Sequence, residues 1–359
     1  MPVTQRHLAD QLGVSVTTVS RALKNDPAIK PETRGRVMEA AATLGYKPAR
    51  TLKGAGEYGR QSNTVGVLVR YDGDHASSVH VQMLAGISEV GECRGKLVTV
   101  HYARGTELEQ LTNSSRPAML DTKQVGGLIL LGNFPDATVE WLAERWPCVV
   151  VHHYKPGTHA DIVEIDAIDG FGHLVRKLHG LGHTRFGFIG SANPRHGFTH
   201  ARHAAFFQAL NSLGLDYDPA AFTRADSGAI AAVGDWLEDR MAGGVTAWVC
   251  DHDNLAAAVG DELIRRGYRI PDDVSLAGID GIGALANGRQ ISSVAIPFEA
   301  LGSAAAHRLL RRLEYPQAPR PHILISGRIV EGDTIAAPPA AQREPPPWPP
   351  ATDQTDRTP

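Results

Sequence analysis

The sequence predicts an N-terminal all-α helix-turn-helix headpiece, followed by an α/β body of two doubly wound lobes built on parallel sheets. Three observations predict this organisation. A helix–turn–helix pattern fills residues 3–23, basic residues are concentrated in the first 60 positions, and short apolar runs alternate with helix-like segments from Thr64 onward. With 359 residues and 42% hydrophobic content, the chain is long enough to bury more than one core.

The first helix of the headpiece is predicted from its apolar spacing. Leu8, Ala9 and Leu12 recur at the intervals of one helix face, and Thr4 is placed to cap the start of the helix. Gly13 follows directly and permits a tight turn, because glycine adopts left-handed backbone angles without strain. The pattern therefore predicts a short helix that ends in a turn.

The second helix is predicted to begin at a capping Ser15 and to bury Val19 and Leu23. The residues that project outward are Val16, Thr17, Ser20 and Arg21, with Lys24 just beyond them. A short helix that offers small polar groups and one arginine suits the major groove of DNA, where arginine forms two hydrogen bonds to guanine. The alternative interpretation is an ordinary helical hairpin whose polar residues face water.

A third helix is predicted from Pro31 to Leu44, because proline suits a first helical turn and Gly45 ends the pattern. Its inward stripe consists of Val37, Ala41 and Leu44. Near its start, Thr33 and Arg34 are candidate contacts to DNA phosphates, which position a protein on the duplex without reading its sequence.

Charge is segregated along the chain. The first 60 residues carry a net charge of +5, and the remaining 299 carry −8, within a total of −3. A basic headpiece on an acidic body is typical of a protein that binds DNA at one end only. Chance segregation of charge is the alternative.

The cysteines favour a reducing compartment. Cys93, Cys148 and Cys250 lie far apart and have no metal-ligand spacing. The chain has neither a charged-then-apolar leader nor a stretch of 18 apolar residues. We therefore expect a cytoplasmic, nucleoid-associated protein without a metal or cofactor.

Several long motifs resemble those of the lactose-repressor (LacI/GalR) family of transcription regulators. They are GVSVTTVSRALKN and PETRGRVMEAAATLGYKP in the headpiece, and NTVGVLV, LGHTRFGFIG and PDDVSLAGIDG in the body. The resemblance extends to about Ala337 and covers nearly the whole chain. It implies a periplasmic-binding-protein-like body that holds a small-molecule effector between its lobes.

The body is predicted over residues 64–337. Its apolar runs are VGVLV (65–69), LVTVHY (97–102), GGLILL (126–131), CVVVHH (148–153), FGFIG (186–190), AWVC (247–250) and SLAGI (275–279). These runs do not alternate with polar residues, which indicates strands buried on both faces of parallel sheets. Helix-like segments separate them at 81–93, 169–181, 201–213 and 254–266. Seven such strands fit two lobes better than one.

Residues 1–47 are predicted as the headpiece and residues 48–63 as a linker. The resemblance implies that ARTLK, at positions 49–53, is a hinge element and that Leu52 is inserted into the central minor groove of an operator, where an apolar side chain can kink a base step. Too few residues separate Tyr46 from Leu52, however, and glycines follow. A flexible tether is the alternative.

The resemblance also carries the sugar-contacting positions of the family over to this chain. Arg202 matches an arginine that holds hydroxyls or a carboxylate through its planar fork, and Asp280 matches an aspartate that accepts hydrogen bonds from sugar hydroxyls. After the first strand, Ser77 and His80 lie where the family contributes a polar and an aromatic contact. Such strand ends are where open α/β sheets bind ligands.

Two candidate effector residues depart from the family pattern. His252 stands where asparagine is usual, and His152 stands where aspartate is usual. A neutral sugar bound by neutral histidines is the preferred interpretation. Because the exchange removes a negative charge beside Arg202, an anionic effector such as a sugar acid or sugar phosphate is the alternative hypothesis. Partly exposed loop residues without function are the remaining alternative for these histidines.

The tail from Pro338 to Pro359 is rich in proline and polar residues, so it is predicted to be disordered. It has no leucine heptads that would support a tetramer. A homodimer is expected, because two headpieces are needed to read a palindromic operator.

Together these observations predict a DNA-binding repressor controlled by a small metabolite, which acts as inducer or as corepressor. The resemblance implies that this metabolite is a carbohydrate. The alternatives are a solute-binding protein of a sugar transporter, an enzyme on the same scaffold, and a regulator without a small-molecule effector. Neither GxGxxG at the start of a helix nor a GxSxG elbow is present to favour an enzyme.

Overall fold

The computed structural model describes residues 5–23, 29–44, 62–71, 78–104, 117–121, 124–153, 155, 157–193 and 197–339. The chain divides into two compact units, Met1–Gly56 and Glu57–Pro359. The candidate residues Thr4, Lys24, Leu52 and Ser77 lie outside the described residues, as do most of the predicted linker and the tail beyond position 339.

In the first unit, the described residues form three helices, α1 (Gln5–Leu12), α2 (Val16–Leu23) and α3 (Pro31–Thr43). Their shared core is formed by Leu8, Ala9, Val19, Ala22, Val37 and Ala41. Leu12, Leu23 and Leu44 are only partly buried and pack against it. The predicted inward faces are confirmed, and Ala22 joins them.

The turn between α1 and α2 has the predicted chemistry. Gly13 has φ of 64°, which a glycine adopts without strain. The hydroxyl oxygen of Ser15 accepts a hydrogen bond from the Thr18 backbone N–H at 3.0 Å, so Ser15 caps α2. This arrangement fixes where α2 begins and which of its faces is buried.

In the second unit, the first lobe is built on a six-stranded sheet in the order β11-β5-β4-β3-β1-β2. Its strands are β1 (Thr64–Tyr71), β2 (Leu97–Arg104), β3 (Gly127–Leu131), β4 (Cys148–Val151), β5 (Asp161–Ile165) and β11 (His322–Ile325). Every pair in this sheet is parallel. The helices described in this part of the chain are α4 (Ser78–Cys93), α5 (Ala118–Asp121) and α6 (Asp136–Ala143).

The second lobe is built on another six-stranded sheet, in the order β12-β10-β9-β8-β6-β7. Its strands are β6 (Phe186–Ser191), β7 (Phe222–Ala225), β8 (Ala247–Cys250), β9 (Ser275–Asp280), β10 (Ser292–Ala295) and β12 (Arg328–Val330). Only the β10–β12 pair is antiparallel among the described pairs. The remaining helices are α7 (Ala167–Gly180), α8 (Thr199–Ser212), α9 (Gly234–Ala242), α10 (Asp253–Arg265) and α11 (Phe298–Glu314), with 3₁₀ turns at Pro219–Ala221 and Ser227–Val233.

The chain passes between the lobes three times. It leaves β5 in the first sheet and enters α7, which packs on β10 and β12 of the second. It leaves β10 and enters α11, which packs on β3, β4 and β5 of the first. It then passes from β11 to β12 through Ser326 and Gly327. Three crossovers of this kind connect the lobes by short segments on one side.

At the first crossover, Asp166 has a structural role. Its carboxylate accepts a hydrogen bond from the Asp169 backbone N–H at 2.9 Å and so caps α7. Its own backbone N–H donates to the Ile325 carbonyl at 2.9 Å, which joins two crossovers. The proximity of Asp166 and Asp169 in the sequence thus reflects a helix cap.

Two helices of the first lobe, α4 and α11, approach each other closely at glycines. A Cβ added at Gly86 would lie 2.0 Å from the Glu299 carbonyl oxygen, and one added at Gly302 would lie 2.0 Å from the Met83 carbonyl oxygen. No side chain fits at such distances, so both positions require glycine. The close approach holds α11 beside the sheet and places Phe298 at the cleft end of the helix.

All seven predicted strands are present, but the prediction missed five: β5, β7, β10, β11 and β12. Their sequences are DIVEI, FTRA, SSVA, HILI and RIV. Most are short, contain charged or hydroxyl residues, or lie toward the edge of a sheet, where partial exposure weakens the apolar signal. The fold class of a helical headpiece and two predominantly parallel lobes is confirmed.

None of the described helices is long and apolar enough to cross a membrane. The three cysteines are free thiols, with Cys148 and Cys250 buried and Cys93 exposed.

Candidate functional site

Three candidate residues lie where parallel strands end. His152 follows β4 of the first lobe, and His252 and Asp280 lie at the ends of β8 and β9 of the second. Because both sheets are predominantly parallel, these ends meet at the edges that face each other across the cleft. The fold thus brings together residues that are separated by up to 128 positions in the sequence.

Arg202, on α8, is the centre of this group and only 1% exposed. Its Nη2 lies 3.5 Å from Asp280 Oδ1 and 3.4 Å from His152 Nε2. Its Nη1 donates a hydrogen bond to the Asp251 carbonyl oxygen, and its guanidinium carbon lies 4.1 Å above the Phe198 ring. One arginine of the second lobe therefore contacts a residue of the first.

Two polar atoms in this group have no hydrogen-bond partner among the described residues. They are Arg202 Nε and His152 Nδ1, and both are buried. A buried donor without a partner is costly, roughly 1–3 kcal/mol. Both atoms lie beside the cleft, so an acceptor on a bound molecule would relieve that cost.

The backbone is strained at the same place. His152 has φ of 64° and Asp280 has φ of 127°, and they are the only described residues other than glycine with positive φ. Such angles cost roughly 1–3 kcal/mol and persist where the surroundings impose them. These backbone angles turn His152 and Asp280 away from the lines of β4 and β9. The ends of these two strands face each other.

His252 is held by a neighbour that the sequence analysis did not single out. Its Nδ1 lies 2.6 Å from Asp251 Oδ1. The other carboxylate oxygen, Oδ2, accepts the Thr199 hydroxyl at 2.6 Å and the Ser191 backbone N–H at 2.8 Å. Asp251 is fully buried. The polar run Asp251–Asp253, which directly follows a buried strand, is the sequence signal that could have pointed to it.

Asp253 is hydrogen-bonded to the loop that follows β9 and to β10. Its carboxylate accepts the Ile282 and Gly283 backbone N–H groups at 2.8 and 3.0 Å and the Ser293 hydroxyl at 2.7 Å. A Cβ added at Gly278 would lie 2.2 Å from its Oδ1. Asp253 therefore fixes the loop that follows Asp280.

Aromatic rings line the region around Arg202. His152 lies 5.6 Å from Phe298 and 5.9 Å from Phe198, measured between ring centroids. Phe198 also stacks on His153 at 6.2 Å and lies edge-on to His252 at 6.2 Å. Flat apolar faces beside hydrogen-bonding groups suit a ligand with both kinds of surface. Phe198 and His153 were not predicted from the sequence.

Burial sets the charges of the group. Burial raises the pKa of Asp280 to about 6, although Arg202 beside it acts in the opposite direction. Burial, followed by the Arg202 charge and the nearby His153 and His80, holds the pKa of His152 well below its usual value. His152 is therefore neutral at pH 7.

The Asp251 carboxyl group, which lies beside His252 in the second lobe, carries a negative charge. Burial acts to raise the pKa of its carboxyl, but the His252 hydrogen bond and charge, with the Thr199 and Ser191 donors, lower it overall. Asp251 is therefore an ionised carboxylate at neutral pH.

The histidines are not partly exposed loop residues. His152 is 8% exposed and His252 is 6% exposed, so that alternative is wrong for both. His80 lies in the first turn of α4 and is half-buried. Burial lowers the pKa of His80, and its charge influences His152, so it lies near the group.

In the headpiece, the predicted outward face of α2 is mostly exposed. Val16 is 43% exposed, Thr17 and Arg21 are exposed, and Ser20 is half-buried. Thr33, at the start of α3, is half-buried. An exposed valine beside polar residues on a short helix fits contact with base edges better than contact with water alone.

A cavity of about 620 Å³ lies elsewhere, beside the crossovers. It is lined by residues that include Gln82, Pro297, Glu299, Ser326 and Arg328. The polar side chains Gln82, Glu299 and Arg328 are exposed there. The group around Arg202 is the better candidate, because its polar atoms are buried and converge. Among the described residues, no cluster of three metal-ligating side chains is present.

Comparison with known proteins places these features in context. Residues 6–49 match a family model described as bacterial regulatory proteins, lacI family, and residues 175–335 match a periplasmic binding protein-like domain. The HTH-type transcriptional repressor CytR of Escherichia coli (strain K12) is 29% identical over 285 residues, which cover 78% of this chain and 80% of CytR.

Two solved structures share the fold. The lac repressor dimer bound to operator and the anti-inducer ONPF has a TM-score of 0.64 at 23% identity, with 94% of this chain and 100% of that chain covered. The complex of the transcriptional regulator CelR with cellobiose has a TM-score of 0.62 at 23% identity, with 92% and 99% covered. The chain therefore combines a LacI-family helix-turn-helix domain with a periplasmic-binding-protein-like domain.

Proposed function

We propose that the protein is a sequence-specific DNA-binding repressor whose operator affinity is controlled by a small carbohydrate bound between the two lobes. It acts as a binding protein in the cytoplasm, where the chromosome lies, and not as an enzyme. The observation that carries the proposal is that one chain has both an exposed face on α2 and a buried polar group around Arg202. In that group, Arg202 Nε and His152 Nδ1 have no hydrogen-bond partner among the described residues. We assign residues 1–47 to the headpiece, 48–63 to the linker, 64–337 to the body and 338–359 to the tail.

The DNA-binding half rests on α2. Val16 and Thr17 would choose bases through methyl and hydroxyl contacts, and Arg21 would bond a guanine. Thr33 would contact a phosphate. Thr4, Ser15, Ser20, Lys24 and Leu52 complete the proposed DNA-contacting set. The relatives named above include a repressor and a repressor bound to operator.

The effector-binding half rests on the convergence of His152, Arg202, His252 and Asp280, with His80 nearby and Ser77 as the remaining candidate. Arg202 Nε and His152 Nδ1 offer donors, and the carboxylate of Asp280 offers acceptors. Ring faces beside them suit the C–H surfaces of a sugar. The related regulator CelR is known in complex with cellobiose.

Charge favours a neutral effector. The guanidinium of Arg202 already lies 3.5 Å from Asp280, and its remaining neighbours include the Asp251 carbonyl oxygen. His152 is neutral, because burial and Arg202 hold its pKa well below the usual value. An added carboxylate or phosphate would therefore meet one arginine that is already paired. We prefer a neutral sugar to a sugar acid or sugar phosphate.

Control of DNA binding would follow from the crossovers. A sugar that contacts His152 in the first lobe and Arg202 in the second changes the relative stability of two lobe arrangements. In a homodimer, that change alters the spacing of the two headpieces on a palindromic operator. An inducer weakens operator binding and a corepressor strengthens it, by the same coupling.

The test is retention of genomic DNA fragments by the purified full chain at near-physiological salt. We expect a few fragments that share one palindrome, with binding lost on deletion of residues 1–60. Cellobiose, ribose and glucose are then titrated against the retained fragments. Weak, salt-sensitive binding to every fragment would contradict the proposal, because phosphate contacts alone give that result. Fragment binding that no sugar alters would favour a regulator without such an effector.

A further inference from the structure

One short segment of the second lobe contacts the first lobe at two places. Phe198, the residue directly before α8, stacks on the His153 ring, with the ring centroids 6.2 Å apart and the planes inclined by 25°. The Phe198 ring also lies 5.9 Å from the His152 ring. Because His152 and His153 follow β4, this ring of the second lobe contacts two neighbouring imidazoles of the first.

Gly197 provides the second contact. A Cβ added at Gly197 would lie 2.9 Å from Asn133 Nδ2 and 3.2 Å from Asn133 Cγ, and Asn133 follows β3 of the first lobe. Gly197 does not have the positive φ that by itself would favour glycine. The missing side chain at position 197 therefore serves the close approach of the two lobes and not a strained local backbone.

Within its own lobe, the Phe198 ring is held by buried groups. The Arg202 guanidinium carbon lies 4.1 Å above the ring, and the His252 ring lies 6.2 Å from it, measured between centroids. Arg202 is fixed in turn by its hydrogen bond to the Asp251 carbonyl oxygen. On the other side of the contact, His153 is buried in the first lobe. The stack therefore joins two rings that are each held by a different lobe.

We propose that the stack of Phe198 on His153 is a latch that stabilises the described arrangement of the lobes before an effector binds. Gly197 lets the latch close, because a side chain at this position would meet Asn133. The two rings belong to different lobes, so a change in the angle between the lobes separates them. An aromatic pair of this kind should raise the population of the described arrangement about twofold to tenfold.

The latch acts without effector and without DNA, so it goes beyond the proposed function. Its consequence for operator binding rests on that function. A larger population of one lobe arrangement before binding changes the effector concentration that is needed to shift the equilibrium.

The experiment measures the described arrangement by the formation of a disulfide between positions 133 and 197. Asn133 Cγ lies 3.2 Å from a Cβ added at Gly197 and is one bond from its own Cβ, whereas the Cβ atoms of disulfides are roughly 3.5–4.5 Å apart. Asn133→Cys and Gly197→Cys are combined with Cys93→Ser, because Cys93 is exposed and the other two cysteines are buried. The full chain is treated with oxidised glutathione, and mass spectrometry follows the disulfide.

We expect the disulfide to form in the native chain, and Phe198→Ala to slow its formation about twofold to tenfold. His153→Ala removes the same stack from the first lobe and should slow it by a similar factor. Because His153 is distant in sequence from position 197, this result separates the stack from a local change beside the new cysteine. The two substitutions together should slow the reaction no more than either alone.

Phe207→Ala is the matched control. Phe207 also lies on α8, and its ring packs edge-on against Tyr217 of the same lobe. This substitution removes an aromatic contact of the second lobe without removing one to the first. Disulfide formation should keep its parent rate.

An unchanged rate in Phe198→Ala or in His153→Ala would overturn the inference, and so would effects that multiply in the double variant. A folded double-cysteine chain that forms no disulfide would overturn it as well. If the double-cysteine chain does not fold, hydrogen exchange of the single variants decides. Phe198→Ala should then speed exchange in first-lobe peptides that contain residues 148–153, and Phe207→Ala should not; equal exchange in both would overturn the latch.

A final measurement keeps the latch apart from the proposed function. Any of cellobiose, ribose or glucose that alters operator binding of the reduced double-cysteine chain should no longer alter it in the disulfide-linked chain. A response that persists would count against control of the headpiece by lobe movement and leave the latch result as it stands.

Discussion

Arg202 and His152 join the two lobes: Nη2 of the arginine, on α8, lies 3.4 Å from Nε2 of the histidine that follows β4. Both side chains are buried, and the histidine backbone is held at φ of 64°. A contact of this kind across a cleft depends on the angle between the lobes. A ligand that takes over its hydrogen bonds would therefore change the preferred angle.

Arg202→Lys should weaken effector binding. Lysine keeps the charge but loses the planar fork, so at most part of the contacts to His152, Asp280 and the Asp251 carbonyl survive. We expect a loss of about tenfold or more, because hydrogen bonds to charged groups contribute roughly 1.5–3 kcal/mol. Calorimetric titration with a sugar that alters operator binding measures this loss.

The control for that variant is Arg224→Lys. Arg224 is exposed on the same lobe, and its described contact is with His200. Its sugar affinity should match that of the wild type. Equal losses in the two variants would mean that the effect is general to the lobe and would remove Arg202 from the effector site.

Arg21→Ala should reduce operator discrimination. If Arg21 forms two hydrogen bonds to a guanine, its loss costs about 1–3 kcal/mol on the operator and relaxes the preference at one base pair. Thr33→Val should instead weaken binding to all sequences similarly, since phosphate contacts carry no sequence information. Anisotropy titrations on the operator and on single-base variants separate the two results. A uniform loss for Arg21→Ala would assign it to the backbone.

The Asp280 carboxyl should make stability depend on pH. Its pKa is raised from 3.8 to about 6, so the folded chain holds this proton more tightly than the unfolded chain does. The contribution of this group to stability is therefore full below pH 4 and is lost as pH rises through 6. The total is on the order of 3 kcal/mol, from about 1.4 kcal/mol per pKa unit.

Denaturant unfolding of the wild type and Asp280→Asn between pH 4 and pH 7.5 measures this effect. We expect the wild type to lose stability relative to the variant as pH rises from 4 to 6.5. A difference that stays constant over this range would show that folding does not raise the pKa of Asp280.

Gly302→Ala should destabilise the first lobe. A Cβ there would lie 2.0 Å from the Met83 carbonyl oxygen, so α4 and α11 must move apart. Overpacking of this kind costs typically 1–3 kcal/mol, and backbone atoms yield less easily than side chains. The measurement is the melting temperature of the full chain.

Gly35→Ala is the matched substitution. Gly35 lies within α3, and among the described atoms none lies within 4 Å of an added Cβ. Alanine should raise the stability of the headpiece by roughly 0.5–1 kcal/mol. A similar melting temperature for both variants would contradict the tight contact between α4 and α11.

The headpiece was predictable because its signals are local. Ser15 and Gly13 act on their immediate neighbours, and the spacing of Leu8, Val19 and Val37 directly reports the buried faces. The long apolar strands were predictable for the same reason. The strand SSVA was not, since two buried serines give no apolar pattern and are satisfied by partners distant in the sequence, such as Asp253.

Some members of the candidate site were predictable from the sequence, but its geometry was not. His152, Arg202 and Asp280 came from strand ends and family positions, and the structure places them together. Positive φ at His152 and Asp280 arises from packing of the whole lobe and leaves no trace in local sequence. Asp251 was missed because its partners, Ser191 and Thr199, lie over 50 residues away.

The most direct measurement is the affinity of the full chain for its operator with and without the effector sugar, paired with the affinity for the sugar with and without operator. Because binding coupling is reciprocal, both affinities should change by the same factor, between about 5-fold and 150-fold. Arg202→Lys should reduce the sugar affinity, so a higher sugar concentration should be needed to change the operator affinity. Sugar binding that leaves operator affinity unchanged would contradict control of the headpiece by the cleft.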